Sequence, residues 1–397
     1  MVNGLTFGSE MEAQVLGQNF DIRRYCGIPG NELFVPEVNP VHIIETNSNI
    51  ANNVNELNRQ LYSLLQTLAS DVTASGDLFY GGSTVFDAHE EVLPLRYRTT
   101  SMSNSLGELF KRVSSQQTIV GIPFGQEEMG FEMMRYFESM APIVLAMSAS
   151  SPYAFEQGEL VDTGFQSRRI ALYNEMFRFL PSDILGVNPA SIHDLETYEG
   201  HRRTITDLVR KHVDSGHFDV NMVELQNGGH LPINLEPHQS YQWVRIRPDH
   251  RNEDTNTAYT LEVRTPDAPL TFDKIQMINE LYAGIAYYVQ KYGTGNMIFP
   301  TSGSNEDLLV ASREGLDAQI NGQSVRVIIP KILEYATKGL ELHGSNNEAE
   351  HMNRVVQDIL INGNDATYIR HLVEEQSYDV HQLREQMSGM YLESLGV

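Results

Sequence analysis

Alternation of apolar and polar residues is sharpest in two segments far apart in the chain, LTFGSEMEAQV (residues 5–15) and TAYTLEVRTPDAP (residues 257–269). Side chains of an extended strand point to opposite faces in turn. Leu5, Phe7, Met11, Ala13 and Val15 therefore share one face of the first segment, and Glu10 and Glu12 share the other. The same arithmetic groups Thr260, Glu262 and Arg264, with Tyr259, Leu261 and Val263 behind them. A helical period predicts a helix over 50–74, carried by Val54, Leu57, Leu61, Leu64, Leu65 and Leu68. It predicts a second over 126–149, with Phe131, Met134, Phe137, Val144 and Met147 on its core face and Pro142 as a kink, and a third over 272–290. Strands are expected near 40–46 and in DLFYGGSTVF, QQTIVGIP and YQWVRIRPD, with Gly81 and Gly82 marking a turn or a close approach. Further helices are expected near 101–114 and 203–213, a loop-rich stretch over 150–182, and consecutive helices over 305–394.

No repeat, low-complexity linker or change of composition divides the chain. The expectation is one α+β domain over residues 1–397: an antiparallel or mixed sheet with one face open to ligand, helices behind it, and a helical part over about 305–397. A hydrophobic content of 41% is that of a folded protein, and no apolar run is long enough to span a membrane. The start, MVNGLTFGSE, lacks the basic flank of a secretory leader, so the cytoplasm is the expected location. Cys26 is the single cysteine, which excludes an internal disulfide and a cysteine-rich zinc site. A formal charge of -24 argues against a nucleic-acid partner, whose phosphates are bound through lysine and arginine. It leaves room for a nucleotide, whose charge is neutralised locally. Paired carboxylates on a strand face need a cationic counterpart, and hard oxygen donors suit magnesium beside phosphates.

Several segments resemble, in order along nearly the whole chain, the motifs of the carboxylate–amine ligases of the glutamate–cysteine ligase type 2 family. LTFGSEMEAQV is similar to its Gly-x-Glu-x-Glu strand, and IVLAMSASSPYAFEQGELVDTGFQSRR (143–169) to its serine-rich segment and following arginine. VRIRPD and TLEVRTPDAPLT resemble its Asp-x-Arg-Pro and Thr-x-Glu-x-Arg-x-x-Asp-x-Pro strands, and NEDLLVASREGLDAQI resembles its late helix. The resemblance implies a glutamine synthetase-like curved sheet whose concave face binds ATP and magnesium. It implies activation of an amino-acid carboxylate, usually the γ-carboxylate of glutamate, as an acyl phosphate for attack by an amine. Carried over position by position, it implies metal-binding roles for Glu10, Glu12 and Glu262. It likewise implies catalytic contacts for Arg264 and Arg247, and cofactor contacts for Glu45, Arg169 and Arg313. For Glu45, Arg169, Arg247 and Arg313 the competing expectation is a structural ion pair.

The chain departs from the family pattern at three strands. His-x-His-x-Gly is replaced by Gln117, Thr118, Ile119, Val120 and Gly121, the histidine of Gly-Thr-His-Pro by Val85, and the aspartate of Asp-x-Arg-Pro by Arg245. Loop histidines are candidate substitutes: His230 and His238 first, His42 and His89 after them. These losses leave a second reading open, a homologue altered in catalysis that binds nucleotide or amino acid or pairs with an active ligase. Met133, Met134, Tyr136 and Met140 are candidates for an apolar surface joining copies of the chain.

Overall fold

The computed structural model describes residues 4–17, 19, 33–36, 38–39, 43–83, 93–94, 114–156, 159–177, 185–186, 200, 241–247 and 250–397. Among them the main sheet takes β1 (Thr6–Leu16), β2 (Phe34–Pro36), β3 (Ile43–Asn47), β4 (Leu78–Tyr80), β5 (Gln116–Pro123), β6 (Val244–Arg247) and β7 (Thr257–Val263). Its order is β6–β7–β5–β1–β3–β2, with β4 paired to the far end of β1, and every pairing is antiparallel. The strand that opens the chain thus lies at the centre of the sheet. The two segments with the clearest alternation are separated only by β5.

Among the described residues the α-helices are α1 (Val54–Ala74), α2 (Glu127–Ser148), α3 (Arg168–Phe177), α4 (Phe272–Tyr292), α5 (Asn305–Glu314), α6 (Val325–Leu342), α7 (Asn346–Asn362), α8 (Asp365–Arg370) and α9 (Val380–Ser394). Asn53 starts α1 by accepting the Glu56 backbone N–H on its side chain, and Leu57, Leu61, Leu65 and Leu68 of that helix are buried. Leu64, assigned to the same stripe by its spacing, is only partly buried at the edge of this core. Beneath β5 and β7, Phe7, Val120, Ile122, Tyr259, Leu261 and Val263 pack with α2, α4, α6 and α7 in one apolar core. Beneath the far end of β1, Met11, Ala13 and Val15 pack with α1, β4 and α9 in a second. The alternation in β1 and β7 therefore seats both strands with their apolar sides on helices and their charged sides away from them. The expected α+β class, antiparallel sheet and helical C-terminal region are all present.

Three expectations change. The stretch over 150–182 is not simply loop: Tyr153–Glu156 pairs with Glu159–Asp162 as a hairpin, and α3 begins at Arg168. Met133, Met134, Tyr136 and Met140 are all fully buried in α2, so they offer no surface to a second copy. The buried residues of α2 run well beyond the single stripe that periodicity assigns, and include Glu138 and Ser139. At Gly81 an added Cβ would meet the Pro269 carbonyl at 2.1 Å, which accounts for the glycine as a close approach of backbone. The helices expected near 101–114 and 203–213 lie outside the described residues, Ser114 excepted, as do Cys26, His42, Val85, His89, His230 and His238. Among the described residues no helix is long and apolar enough to cross a membrane.

Candidate active site

Strand register assembles the polar face, because residues directly opposite each other share a side of the sheet. One row runs Arg245, Glu262, Ile119, Gly8 across β6, β7, β5 and β1. The row beside it runs Arg247, Thr260, Gly121, Thr6. On the other flank, Gln117 of β5 faces Glu10 of β1, which faces Asn47 of β3, and Glu12 faces Glu45. Of the eight residues singled out from the sequence, Glu10, Glu12, Glu45, Glu262, Arg247 and Arg264 come together here. The two altered positions Gln117 and Ile119 stand between them.

The β6–β7 end is a guanidinium clamp. Glu262 Oε1 lies 2.9 Å from Arg245 Nη2 and 3.3 Å from Arg264 Nε, and its Oε2 lies 2.8 Å from Arg247 Nη1. Arg245 adds a second prong, Nε to Glu262 Oε2 at 3.1 Å. Burial by itself pushes the Glu262 carboxyl up, and the guanidiniums of Arg245, Arg264 and Arg247 overcome it and hold the group down at about 2. Burial conversely lowers Arg245. Arg245, the departure from the family's aspartate, is thus the principal partner of the central carboxylate.

The β1–β3 end has the opposite character. Burial first, then the charges of Glu45 and Glu262, push Glu10 well above the ordinary carboxylate range. Burial and Glu45 push Glu12 up to about 7, against the Ser115 backbone N–H that donates to it at 2.6 Å. Glu45 is buried and accepts from Asn47 Nδ2 at 3.0 Å. Among the described residues no group of three or more histidine, cysteine, aspartate or glutamate side chains is gathered tightly enough to hold a metal ion as it stands. The donor chemistry nevertheless fits magnesium. Glu10, Glu12 and Glu45 are hard oxygen donors adjacent by register, and the buried Gln117 Oε1 beside Glu10 has no hydrogen-bond partner. Glu262, grouped with Glu10 and Glu12 as a metal ligand by the resemblance, has both oxygens engaged by arginines.

Arg313 does not join this face, and Arg169 lies behind it but near enough for its charge to lower Glu12. Arg169 is buried, with Nε 2.9 Å from Asp267 Oδ1, Nη2 donating to the carbonyls of Arg264 and Thr265, and its guanidinium 5.1 Å from the centre of the Trp243 ring. Asp267 also accepts from Ser167 Oγ, Ser151 Oγ and the Ser150 backbone N–H. The serine-rich segment, the arginine after it and the Thr-Pro-Asp turn therefore form one buried knot behind Arg264, and the competing expectation of a structural ion pair describes Arg169. Arg313 is exposed at the end of α5, its guanidinium 5.7 Å from the centre of the Phe165 ring. Sequence reasoning passed over His250, which follows the Arg-Pro-Asp segment directly and whose Nδ1 lies 2.9 Å from Thr260 Oγ1. Its adjacency to that motif was the available signal.

A family model described as glutamate-cysteine ligase family 2 matches residues 6–387. The chain belongs to this family. Among similar family members, "Putative glutamate--cysteine ligase 2" of Leptothrix cholodnii is 26% identical over 96% of this chain and 95% of its own length. A protein of the same name from Trichormus variabilis is 26% identical over 86% of this chain and 82% of its own length. Among solved structures, the glutamate–cysteine ligase of Francisella tularensis in complex with AMP superposes with TM-score 0.62 at 9% identity, covering 99% of this chain and 88% of that one. A bifunctional glutathione synthetase from Pasteurella multocida gives TM-score 0.65 at 13% identity, covering 99% of this chain; the chain spans about half of that protein, 53%. At such identities these structures establish the fold, and it is the fold expected from the sequence motifs.

Proposed function

We propose that this member of glutamate–cysteine ligase family 2 is an ATP-dependent carboxylate–amine ligase working on the polar face of the sheet, and that magnesium serves it there. Family membership over residues 6–387 supports the reaction class. The observation that supports the location is the division of that face into a three-arginine end and a three-carboxylate end within one strand register.

Joining a carboxylate to an amine requires first that the carboxylate be activated, here as an acyl phosphate, and phosphoryl transfer depends mainly on positioning and charge neutralisation. Arg247 and Arg264 are placed to contact the transferred phosphoryl group or the acyl substrate, with Arg245 alongside. Glu262 holds the three guanidiniums together, so that their mutual repulsion does not spread them before an anion arrives. Glu10, Glu12 and Glu45, with the Gln117 amide oxygen, would hold the metal, which when bound neutralises nucleotide phosphate charge. The raised Glu10 and Glu12 carboxyls fit a site arranged for a cation, since like charges crowded in a buried place favour one. Arg169 keeps Arg264 in place through the Arg264 carbonyl and does not touch the nucleotide.

The test is incubation with magnesium-ATP and pooled amino acids and amines, with mass-spectrometric detection of a new amide. Amide formation accompanied by ADP and phosphate is the expected result. Stabilisation by magnesium-nucleotide with no product from any acid and amine would instead favour the altered homologue, a reading that Ile119 beside Glu262 motivates. Absence of any stabilisation by magnesium-ATP would sink both, because a specific ligand must stabilise the folded state.

A further inference from the structure

We propose that Arg245 takes the place of a divalent ion at Glu262, so that the β6–β7 end meets an anion with guanidinium alone and the divalent ions of this chain are confined to the β1–β3 end. The inference rests on the ligase reading, in which both ends of the face serve one reaction. The Glu262 carboxylate is saturated from within the protein. Arg245 donates from Nη2 to Oε1 at 2.9 Å and to Oε2 at 3.0 Å, and from Nε to Oε2 at 3.1 Å. Arg247 Nη1 donates to Oε2 at 2.8 Å, and Arg264 Nε lies 3.3 Å from Oε1. A carboxylate offers about four lone-pair sites, so these donors leave none for a metal. A magnesium ion would also have to stand about 2.1 Å from a carboxylate oxygen, against three like charges.

The strands around Glu262 are also poor in the oxygens that such an ion demands. Across the sheet Glu262 lies between Arg245 of β6 and Ile119 of β5, and beyond Ile119 comes Gly8 of β1. None of these three has a side-chain oxygen. Along β7 its neighbours on the same face are Arg264 and Thr260, and the Thr260 hydroxyl lies 2.9 Å from His250 Nδ1. The unpartnered oxygen of the face belongs instead to Gln117, opposite Glu10 on the other side of Ile119. Exposure separates the three arginines: the Arg245 side chain is 13% exposed, against 19% for Arg247 and 25% for Arg264. Arg245 is the most enclosed of them and is held opposite Glu262 by strand pairing, so it serves as the carboxylate's resident counter-ion. Arg247 and Arg264 are the more open to an anion. Arg245 is accordingly a positioning residue, and it supplies at this end the neutralising charge that a metal supplies at the other.

Manganese(II) suits the same oxygen donors as magnesium, and the loss of its free paramagnetic signal counts the ions bound. The full chain is titrated with it in the presence of saturating ADP, as wild type, Arg245→Asp, Glu262→Gln and Glu12→Gln. Arg245→Asp removes the guanidinium and puts an oxygen donor opposite Glu262, and is expected to bind one manganese ion per chain more than wild type. Glu262→Gln should keep the wild-type number, whereas Glu12→Gln should weaken binding about tenfold or more. Melting temperatures show which variants are folded at the temperature of the titration, and Arg245→Asp and Glu262→Gln test the inference independently of each other. A folded Arg245→Asp with the wild-type number, or a folded Glu262→Gln that loses an ion, overturns the inference and leaves the ligase reading intact. Wild-type affinity in Glu12→Gln overturns the confinement of the ion to the β1–β3 end. A wild type that binds neither manganese nor ADP overturns both the inference and the reading beneath it.

Discussion

The two ends of the polar face hold carboxylates of the same kind under opposite electrostatic conditions. At the β6–β7 end one buried glutamate meets three guanidiniums and stays ionised down to about pH 2. At the β1–β3 end three glutamates lie together, and Glu12 is pushed up to about 7. The difference teaches that the first end is complete in the protein alone, while the second is complementary to a cation that the protein does not itself supply. Replacing a carboxylate should therefore have opposite signs of effect at the two ends.

The largest effect is expected at the clamp. Glu262→Ala strands three guanidiniums beside one another and should cost about 3–5 kcal/mol in denaturant unfolding, the range for breaking a buried pair. An unchanged unfolding midpoint would remove the distinction between the ends. Next comes the knot behind the clamp: Arg169→Met leaves Asp267 buried without its cation and should cost about 3 kcal/mol. Because Arg169 aligns Arg264 through its carbonyl, the affinity for magnesium-ADP should fall together with stability in this variant, and a loss of that affinity at wild-type stability would instead return Arg169 to the nucleotide.

At the carboxylate end the sign reverses. Glu12 has its folded pKa raised from 4.5 to about 7, so its contribution to stability is present below about pH 4.5 and is lost as pH rises through 7. In the absence of divalent metal, Glu12→Gln should make the protein about 1–3 kcal/mol more stable at pH 8 than wild type, since each tenfold change in proton affinity between the folded and unfolded chain is worth about 1.4 kcal/mol. Magnesium should stabilise wild type more than this variant, as followed by thermal melts. Equal or lower stability of the metal-free variant would mean that the β1–β3 end is not electrostatically incomplete.

The smallest effect lies away from both ends and serves as their control. On the helical side His351 Nδ1 lies 2.7 Å from the buried Glu280, with Asp273 at 3.8 Å from Nε2. Burial works to lower His351, yet hydrogen bonds and the charges of Asp273 and Glu280 raise it to about 9. Its contribution is therefore complete below about pH 6.5 and is lost as pH rises through 9. His351→Gln should flatten the stability profile between those values by about 1–2 kcal/mol without altering the response to magnesium.

Much of the fold was legible because β1 and β7 are two-sided strands. One face must be apolar to cover helices and the other need not be, so alternation survives in LTFGSEMEAQV and TAYTLEVR. α2 was legible as a helix but not as one enclosed on all sides, because a stripe of Phe131, Met134 and Phe137 says nothing of what covers Met133 and Met140. For the site, the sequence supplied residue types and order but not partners. Glu10 and Glu262 read alike as acidic residues on strand faces. Only register, which puts Arg245 opposite one and Asn47 opposite the other, separates a clamped carboxylate from a crowded one. Arg169 read as a ligand-binding arginine because its partner Asp267 is 98 residues away. His250 escaped notice because a histidine after a strand is unremarkable until Thr260 of the neighbouring strand is seen beside it.

The Asp267 knot also sets an order of assembly. Its partners at Ser150, Ser167 and Arg169 precede it by 117, 100 and 98 residues, and contacts of such separation close late because the intervening chain must first give up its freedom. During synthesis the serine-rich segment and Arg169 must wait for the aspartate to be made. Because Arg264 lies three residues before Asp267 and lends its carbonyl to Arg169, the clamp acquires its final alignment only then. A nascent chain halted before Asp267 would thus carry all the carboxylates of the β1–β3 end and no anchored arginine end, and would be unable to gather the charges that the reaction requires.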